Sequence, residues 1–416
     1  MSLVFLEKNA EFIRSVGILS GGTAVAQLIP ILITPVLTRL WSPEAFGGLA
    51  TYIAVVSILG MVSLGRLDMA LMLPKKNDDA LRIIGVSLII STVFALLLYT
   101  AIAILDFFGP VGALVIYNWY YLIPLGVLLY AGYSLMISWH NRNKNYSSMS
   151  KSRVFQSSST SGMQVALGSL VIVKHGLIIS DVLGRLVAII LIVRESRIWI
   201  YKPKFDFLRN LALLSRYRMF PLLEAPASLI NTLAHQLPFL VFPLIFSSVI
   251  AGQYFLVVRV LIIPASLIGS AVLEVFKNKA QEDFARNGNC TPIFVRTGIA
   301  LLAIGSVPAI ILWLFAPNLF SFVFGPEWGK AGEYAQILTP LAWVQFVASP
   351  LSYVLVFREK LWLDLKLQAT FLFLVLTALF VGAELASVEV SLRLLVGAGI
   401  FFYAAQIYFS YKASRG

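Results

Sequence analysis

The sequence predicts an all-helical integral membrane protein of about twelve transmembrane helices in two six-helix lobes, with both termini in the cytoplasm. Three observations carry that reading. The composition is 59% hydrophobic and only 12% charged, whereas soluble chains average about 25% charged residues, so a water-soluble globule of this size could not be covered. The apolar residues arrive as long uncharged runs, each close to the ~20 residues a helix needs to cross a bilayer. The basic residues between the runs fall overwhelmingly on alternate connections.

The elements follow in chain order. Residues 1–14 carry Glu7, Lys8 and Glu11 and lack the basic, apolar, small-residue order of a cleaved signal peptide, so they read as a short cytoplasmic helix entering a retained first span. The apolar runs are 15–38, 47–73, 83–105, 119–138, 154–173 and 177–193, then 220–242, 253–273, 295–316, 336–357, 367–383 and 391–411. Residues 202–218 set Phe205, Leu208, Leu211 and Ala212 at helical spacing among basic residues, the pattern of an amphipathic helix on the cytoplasmic surface. This divides the chain into an N-terminal lobe (1–195), a linker (196–219) and a C-terminal lobe (220–416).

The orientation comes from the charges. With the N-terminus inside, 25 of the 32 Lys and Arg residues lie in the termini and even connections. Arg39, Lys174 and Lys330 lie outside, and Arg66, Arg185, Arg259 and Arg393 lie within spans. A bias this strong is scrambled if one span is miscounted. The net charge of +12 therefore reflects orientation and contact with anionic membrane lipids, not a nucleic-acid surface. Six tryptophans, Trp41, Trp119, Trp139, Trp199, Trp328 and Trp362, fall near span ends, where an amphipathic indole prefers the headgroup level.

Chemistry is sparse. No phosphate loop, HExxH or paired-cysteine motif is present, the three histidines (His140, His175, His235) are scattered, and Cys290 is the single cysteine. No metal site, cofactor, nucleotide-driven pump or enzyme activity is expected. A charge inside a bilayer costs about 3 kcal/mol on insertion scales and needs a cavity or a partner. Arg66 and Asp68 lie within the second run, on a continuous helix roughly 10 Å from its inner end. Asp181 and Arg185, one turn apart near the middle of the sixth, are either a self-satisfied pair or part of a site. Arg259 in the eighth has no acid near it in sequence, and its guanidinium offers a fixed fork for phosphate oxygens. Arg66 and Arg259 can alternatively snorkel to the membrane surface. The seventh run aligns Glu224, Asn231 and His235 on one face, suited either to proton coupling or to hydrogen bonds between helices. Pro30 and Pro35 in the first run and Pro238 in the seventh are candidate gating positions, since proline removes a backbone donor and lets a helix bend. Arg393 reads as an interfacial anchor.

Several stretches resemble a known family. Gly21-Gly22-Thr23-Ala24 with Gln27, Pro30, Pro35 and Thr38-Arg39-Leu40, then Ser42 to Gly47, and Asp68 to Pro74-Lys75-Lys76, resemble the opening of bacterial polysaccharide-biosynthesis exporters, the Wzx-type O-antigen flippases. Gly252 through Arg259, Pro264, Ile268-Gly269, Val275-Phe276 and Lys279-Ala280 is similar in order and spacing to their eighth span, and Phe324 to Gly332 with Pro340 and Ser349-Pro350 to their later turn and tenth span. The resemblance implies the MOP/MATE-like flippase fold and a cargo of oligosaccharide on undecaprenyl diphosphate. That cargo would move from the cytoplasmic to the periplasmic leaflet of a bacterial inner membrane by alternating access. It implies a cationic cavity, with Arg66 and Arg259 as the first contacts and Arg185 behind them, and a polysaccharide polymerase or chain-length complex as a candidate partner. Two alternatives stand beside it, a cation or drug exporter of the same superfamily and a membrane-embedded polysaccharide polymerase.

Overall fold

The structure is a computed structural model that describes residues 2–108, 118–170, 175–196, 198 and 206–415, with side chains from residue 17 onward except those of 18, 19, 207 and 361. Lys174, Arg197, Trp199, Lys202, Lys204 and Phe205 lie outside the described residues, as do the side chains of Glu7, Lys8, Glu11 and Arg14. The described residues form helices without a strand.

Fifteen α-helices are described: α1 (Ser2–Leu40), α2 (Pro43–Leu64), α3 (Leu67–Ala70), α4 (Asn77–Phe107), α5 (Ile123–Arg142), α6 (Tyr146–Ser169), α7 (Gly176–Ser196), α8 (Phe207–Arg216), α9 (Ala225–Ile245), α10 (Ser248–Asn287), α11 (Thr291–Phe324), α12 (Gly329–Leu351), α13 (Tyr353–Phe357), α14 (Leu361–Glu384) and α15 (Val388–Ser414). Twelve of them are 20 residues or longer, enough to cross a bilayer, but only 11 are also apolar enough. The exception is α6, whose sequence is rich in serine. Several of its hydroxyls donate to main-chain carbonyls: Ser157 to Ala26 at 2.5 Å, Ser152 to Ala188 at 3.3 Å, and Ser159 to Phe155 at 2.6 Å. Two of those acceptors lie on α1 and α7, so the polar helix is tolerated because its neighbours complete its hydrogen bonds.

The chain forms two compact units, residues 1–33 with 52–232 and residues 34–51 with 233–416. In the first, Leu71, Ile84, Leu135, Trp139, Ile192 and Tyr217 pack into one apolar cluster. The surface helix α8 is capped by Asp206, which accepts from the Arg209 amide at 3.1 Å. It docks through Leu213, Leu214 and buried Asn210, and its Arg209 pairs with Asp79 at 2.6 Å and Asp78 at 3.3 Å. Those carboxylates hold the Arg209 guanidinium proton more tightly than usual. The stripe expected to be apolar, Leu208 and Leu211, points outward at 77% and 53% exposure, the placement of a helix lying at a membrane surface.

In the second unit, α2 and α10 cross at backbone contact. A Cβ on Gly252 would stand 1.8 Å from the Pro43 carbonyl oxygen, and one on Gly47 1.9 Å from that of Ser248. Trp328 seals the same end by donating to the Thr38 carbonyl at 3.1 Å and meeting Phe46 edge-on at 5.0 Å. Phe276, Cys290, Phe294, Leu301, Phe346 and Leu351 form its core cluster. Cys290 is fully buried, and burial pushes its thiol above the ordinary value, which suppresses the thiolate near neutral pH. As the single cysteine, it is expected to resist maleimide at pH 7 while the protein is folded and to react in step with thermal unfolding. Rapid labelling of the native protein would contradict this packing.

Candidate functional site

The site begins at an interruption in the chain after α2. Apolar residues continue through Leu73, which is why the run 47–73 reads as one helix, yet α2 stops at Leu64. Gly65 and Arg66 both take left-handed backbone angles, with φ of 51° and 58°. Glycine accepts that region freely and arginine does not, so the turn is held by its surroundings: a Cβ on Gly65 would stand 3.1 Å from Pro221. The expectation that Arg66 sits a third of the way up a continuous helix is corrected accordingly. Because the 22 residues of α2 already suffice to cross a bilayer, Arg66 and Asp68 lie at the end of that span.

Opposite the turn, residues Phe220–Glu224 form a single π-helical turn that leads into α9. Such turns widen a helix locally and recur at functional sites. Here the turn brings Glu224 to 4.0 Å from Arg66 Nη2, with side-chain exposures of 47% and 20%. Arg66 Nη2 also lies 3.1 Å from the Met69 sulfur. Asp68 is buried and accepts from Ser134 of α5 at 2.9 Å. One turn earlier on α5, the Tyr130 phenol lies within electrostatic reach of Asp68, Arg66 and Arg185, and the Arg185 guanidinium sits over its ring at 6.0 Å. Arg185 in turn donates to Asp181 at 3.1 Å, both side chains being 14% exposed. Buried Tyr52 feels both charges of that pair. A polar string therefore runs through the first unit, from the Arg66 turn to the middle of α7. It carries two guanidinium groups and three carboxylates. Arg66 Nε, Asp68 Oδ1, Arg185 Nε and the Tyr52 hydroxyl make no hydrogen bond among the described residues, and buried polar atoms of this kind usually serve water or a ligand.

The sequence model of the family described as polysaccharide biosynthesis protein matches residues 36–333. The chain belongs to this family. A search of curated proteins finds no match. Among solved structures, the chain is similar to a MOP superfamily transporter from Pyrococcus furiosus, described as having a binding pocket of reverse polarity that suggests a different function. The identity is 12% and the TM-score 0.63, over 95% of this chain and 94% of that one. It is also similar to a multidrug resistance MATE family transporter of the same superfamily in an inward-facing conformation, at 12% identity and a TM-score of 0.64 over 93% and 96% of the two chains. An outward-facing MATE structure matches at 14% identity and a TM-score of 0.54, over 96% of each chain. This member of the polysaccharide biosynthesis family is thus a multi-pass membrane protein with the MOP transporter fold.

The remaining candidates of this family member fall in both units. Asn231 lies in the first unit, exposed on α9; His235, four residues on and also exposed, groups with the second unit and meets the Phe371 ring at 5.6 Å. Arg259 is buried in α10 at 7% exposure. Pro30 lies within α1 in the first unit; Pro35 lies within α1, and Pro238 within α9, in the second. Arg393 is highly exposed and pairs with Glu389 at 3.8 Å. The string also contains residues that the sequence reading passed over. Tyr130 and Ser134 are four apart in an apolar span, a spacing that could have marked them as one polar face. In the second unit Asp364 accepts from Gln368 at 2.6 Å and from Gln406 at 3.5 Å, and the same four-residue spacing was its only local signal.

Proposed function

We infer that this family member is a flippase for an oligosaccharide carried on undecaprenyl diphosphate, moving it between the leaflets of a bacterial inner membrane from the cytoplasmic side by alternating access. The single observation that supports this most is Arg66. Its guanidinium stands on a left-handed turn at the end of a span, mostly shielded, with a loose 4.0 Å contact to Glu224 and a free Nε. A diphosphate brings several oxygens and more than one negative charge to that fork, and so displaces a single carboxylate. The physical need is plain: a sugar chain crossing hydrocarbon strands many hydrogen-bonding groups at several kcal/mol each. A polar string that begins at the mouth of a span and continues to Arg185 replaces that hydration stepwise, while the lipid tail stays in the bilayer.

Arg185 and Arg259 are the further proposed phosphate contacts. Asp68, Asp181, Glu224, Asn231 and His235 are the groups available for ion coupling, and Pro30, Pro35 and Pro238 are the bending points. A polymerase or chain-length complex would take the product. No covalent bond changes, so no enzyme chemistry is required. The second reading, a cation exporter, draws on the three carboxylates of the string, which outnumber its two arginines.

Deletion of the gene separates the two. The flippase reading expects lipid-linked repeat units to accumulate and surface polysaccharide to disappear. Unchanged surface polymer in a strain without a second exporter would overturn it, and heightened sensitivity to cationic drugs alongside would establish the rival.

A further inference from the structure

The second unit carries a groove between α10 and α11 whose lining includes none of the residues assigned to the proposed function. Its wide end is a cavity of about 540 Å³, where Lys279 of α10 and Arg296 of α11 stand beside Val272, Val275, Ala300 and Ile304. Its narrow end is a slot of about 200 Å³ lined by Val260, Pro264, Pro308, Leu312, Trp343 and Phe346. The two cavities share Ile268 and Ile304, so they are one continuous groove. Two features shape it. Pro264 and Pro308 stand on facing walls, and proline bends a helix at its own level. Gly305 lets the floor rise into the gap: a Cβ there would stand 2.9 Å from both Trp343 and Phe346.

The charge pattern is one-sided. Lys279 and Arg296 are exposed at one end, no acidic residue lines either cavity, and neither cation joins an ion pair among the described residues. Beyond Thr297 near the mouth and Thr339 in the slot, the lining is apolar. A soluble anion would satisfy the cations and leave the slot without an occupant, whereas a neutral lipid would do the reverse. From Lys279 to Ile268 the helix rises about 16 Å, half of the ~30 Å hydrocarbon core. A chain whose phosphate rests between Lys279 and Arg296 therefore reaches the slot at the depth where one leaflet ends.

The geometry points to a dedicated site for an anionic diacyl phospholipid, its phosphate between Lys279 and Arg296 and one acyl chain in the groove between α10 and α11. Basic residues between transmembrane helices are a recognised headgroup site. The proposal is independent of the transported cargo.

Native mass spectrometry of the full chain in a mild detergent tests it, with phosphatidylglycerol or phosphatidylethanolamine added at equal mole fraction. The wild type is expected to retain phosphatidylglycerol roughly tenfold more strongly or better, as two basic contacts imply. K279Q/R296Q should lose that preference, and K277Q, whose lysine instead stacks over Tyr353, should keep it. A300W, which narrows the groove and leaves both cations in place, should reduce retention of both lipids and serves alone if the double variant does not fold. Equal retention of the two lipids by the wild type, an unchanged preference in K279Q/R296Q, or unchanged retention in A300W would overturn the site. Displacement of phosphatidylglycerol by equimolar undecaprenyl phosphate would overturn the phospholipid assignment and make the groove a seat for the carrier's tail.

Discussion

Arg66→Ala is expected to abolish transport while the protein still inserts and purifies as a monodisperse species. The turn that carries Arg66 is set by Gly65 and by the π turn opposite, and alanine at position 66 keeps a Cβ in the same place, so the loss falls on the guanidinium alone. A hydrogen bond to a charged group contributes about 1.5–3 kcal/mol, which corresponds to a roughly 10- to 150-fold loss of productive binding. A diphosphate that uses both faces of the fork places the effect at the upper end. Arg66→Lys should fall between the two, because an ammonium is a point charge without the bidentate geometry. The measurement is complementation of surface polysaccharide in a deletion strain, with membrane abundance of each variant followed in parallel. Full complementation by Arg66→Ala would remove the arginine from the proposed mechanism.

Gly252→Val is expected to eliminate folded protein. The atoms that a side chain would strike at position 252 belong to the backbone of α2, the Pro43 oxygen at 1.8 Å and the Gly47 nitrogen at 2.8 Å, and no rotamer change relieves them. Overpacking ordinarily costs about 1–3 kcal/mol where side chains can shift; here two helices must separate, and the Trp328 to Thr38 hydrogen bond lies on the same side of the unit. The cost is therefore expected to exceed ~3 kcal/mol. Size-exclusion profiles and thermal midpoints in detergent give the readout, with Gly397→Ala, which meets nothing within 4 Å, as the tolerated control. A wild-type midpoint for Gly252→Val would mean that α2 and α10 do not touch as described.

The spans were legible because hydropathy and charge are averaged over some twenty residues, and local errors cancel. Where a single residue decided the outcome, the same averaging hid it. The run 47–73 stays mostly apolar in its second half despite Arg66 and Asp68, with Leu67, Ala70 and Leu71 buried in the core of the first unit, so averaged hydropathy carried the span past a turn that only Gly65 marked. The meeting of Arg66 with Glu224, and of Asp68 with Ser134, joins residues that are remote in sequence, and no local period encodes that. Asp181 and Arg185 were legible as a pair because a helix sets residues four apart on one face. The groove of Lys279 and Arg296 was hidden for the opposite reason, since each residue reads correctly as a member of a basic connection and only the pairing of α10 with α11 makes them a site.

The serine-rich α6 has a consequence for how the chain is made. A segment of this polarity gains too little from hydrocarbon to leave the translocon by itself, and two of its hydroxyls, Ser157 and Ser152, find their acceptors on α1 and α7. Its entry into the bilayer must therefore wait until α7 has been synthesised, which couples the insertion of one segment to the translation of the next. Ribosome-stalled chains ending shortly after Ser169 should leave α6 accessible to water-soluble probes, and chains long enough to release α7 should protect it.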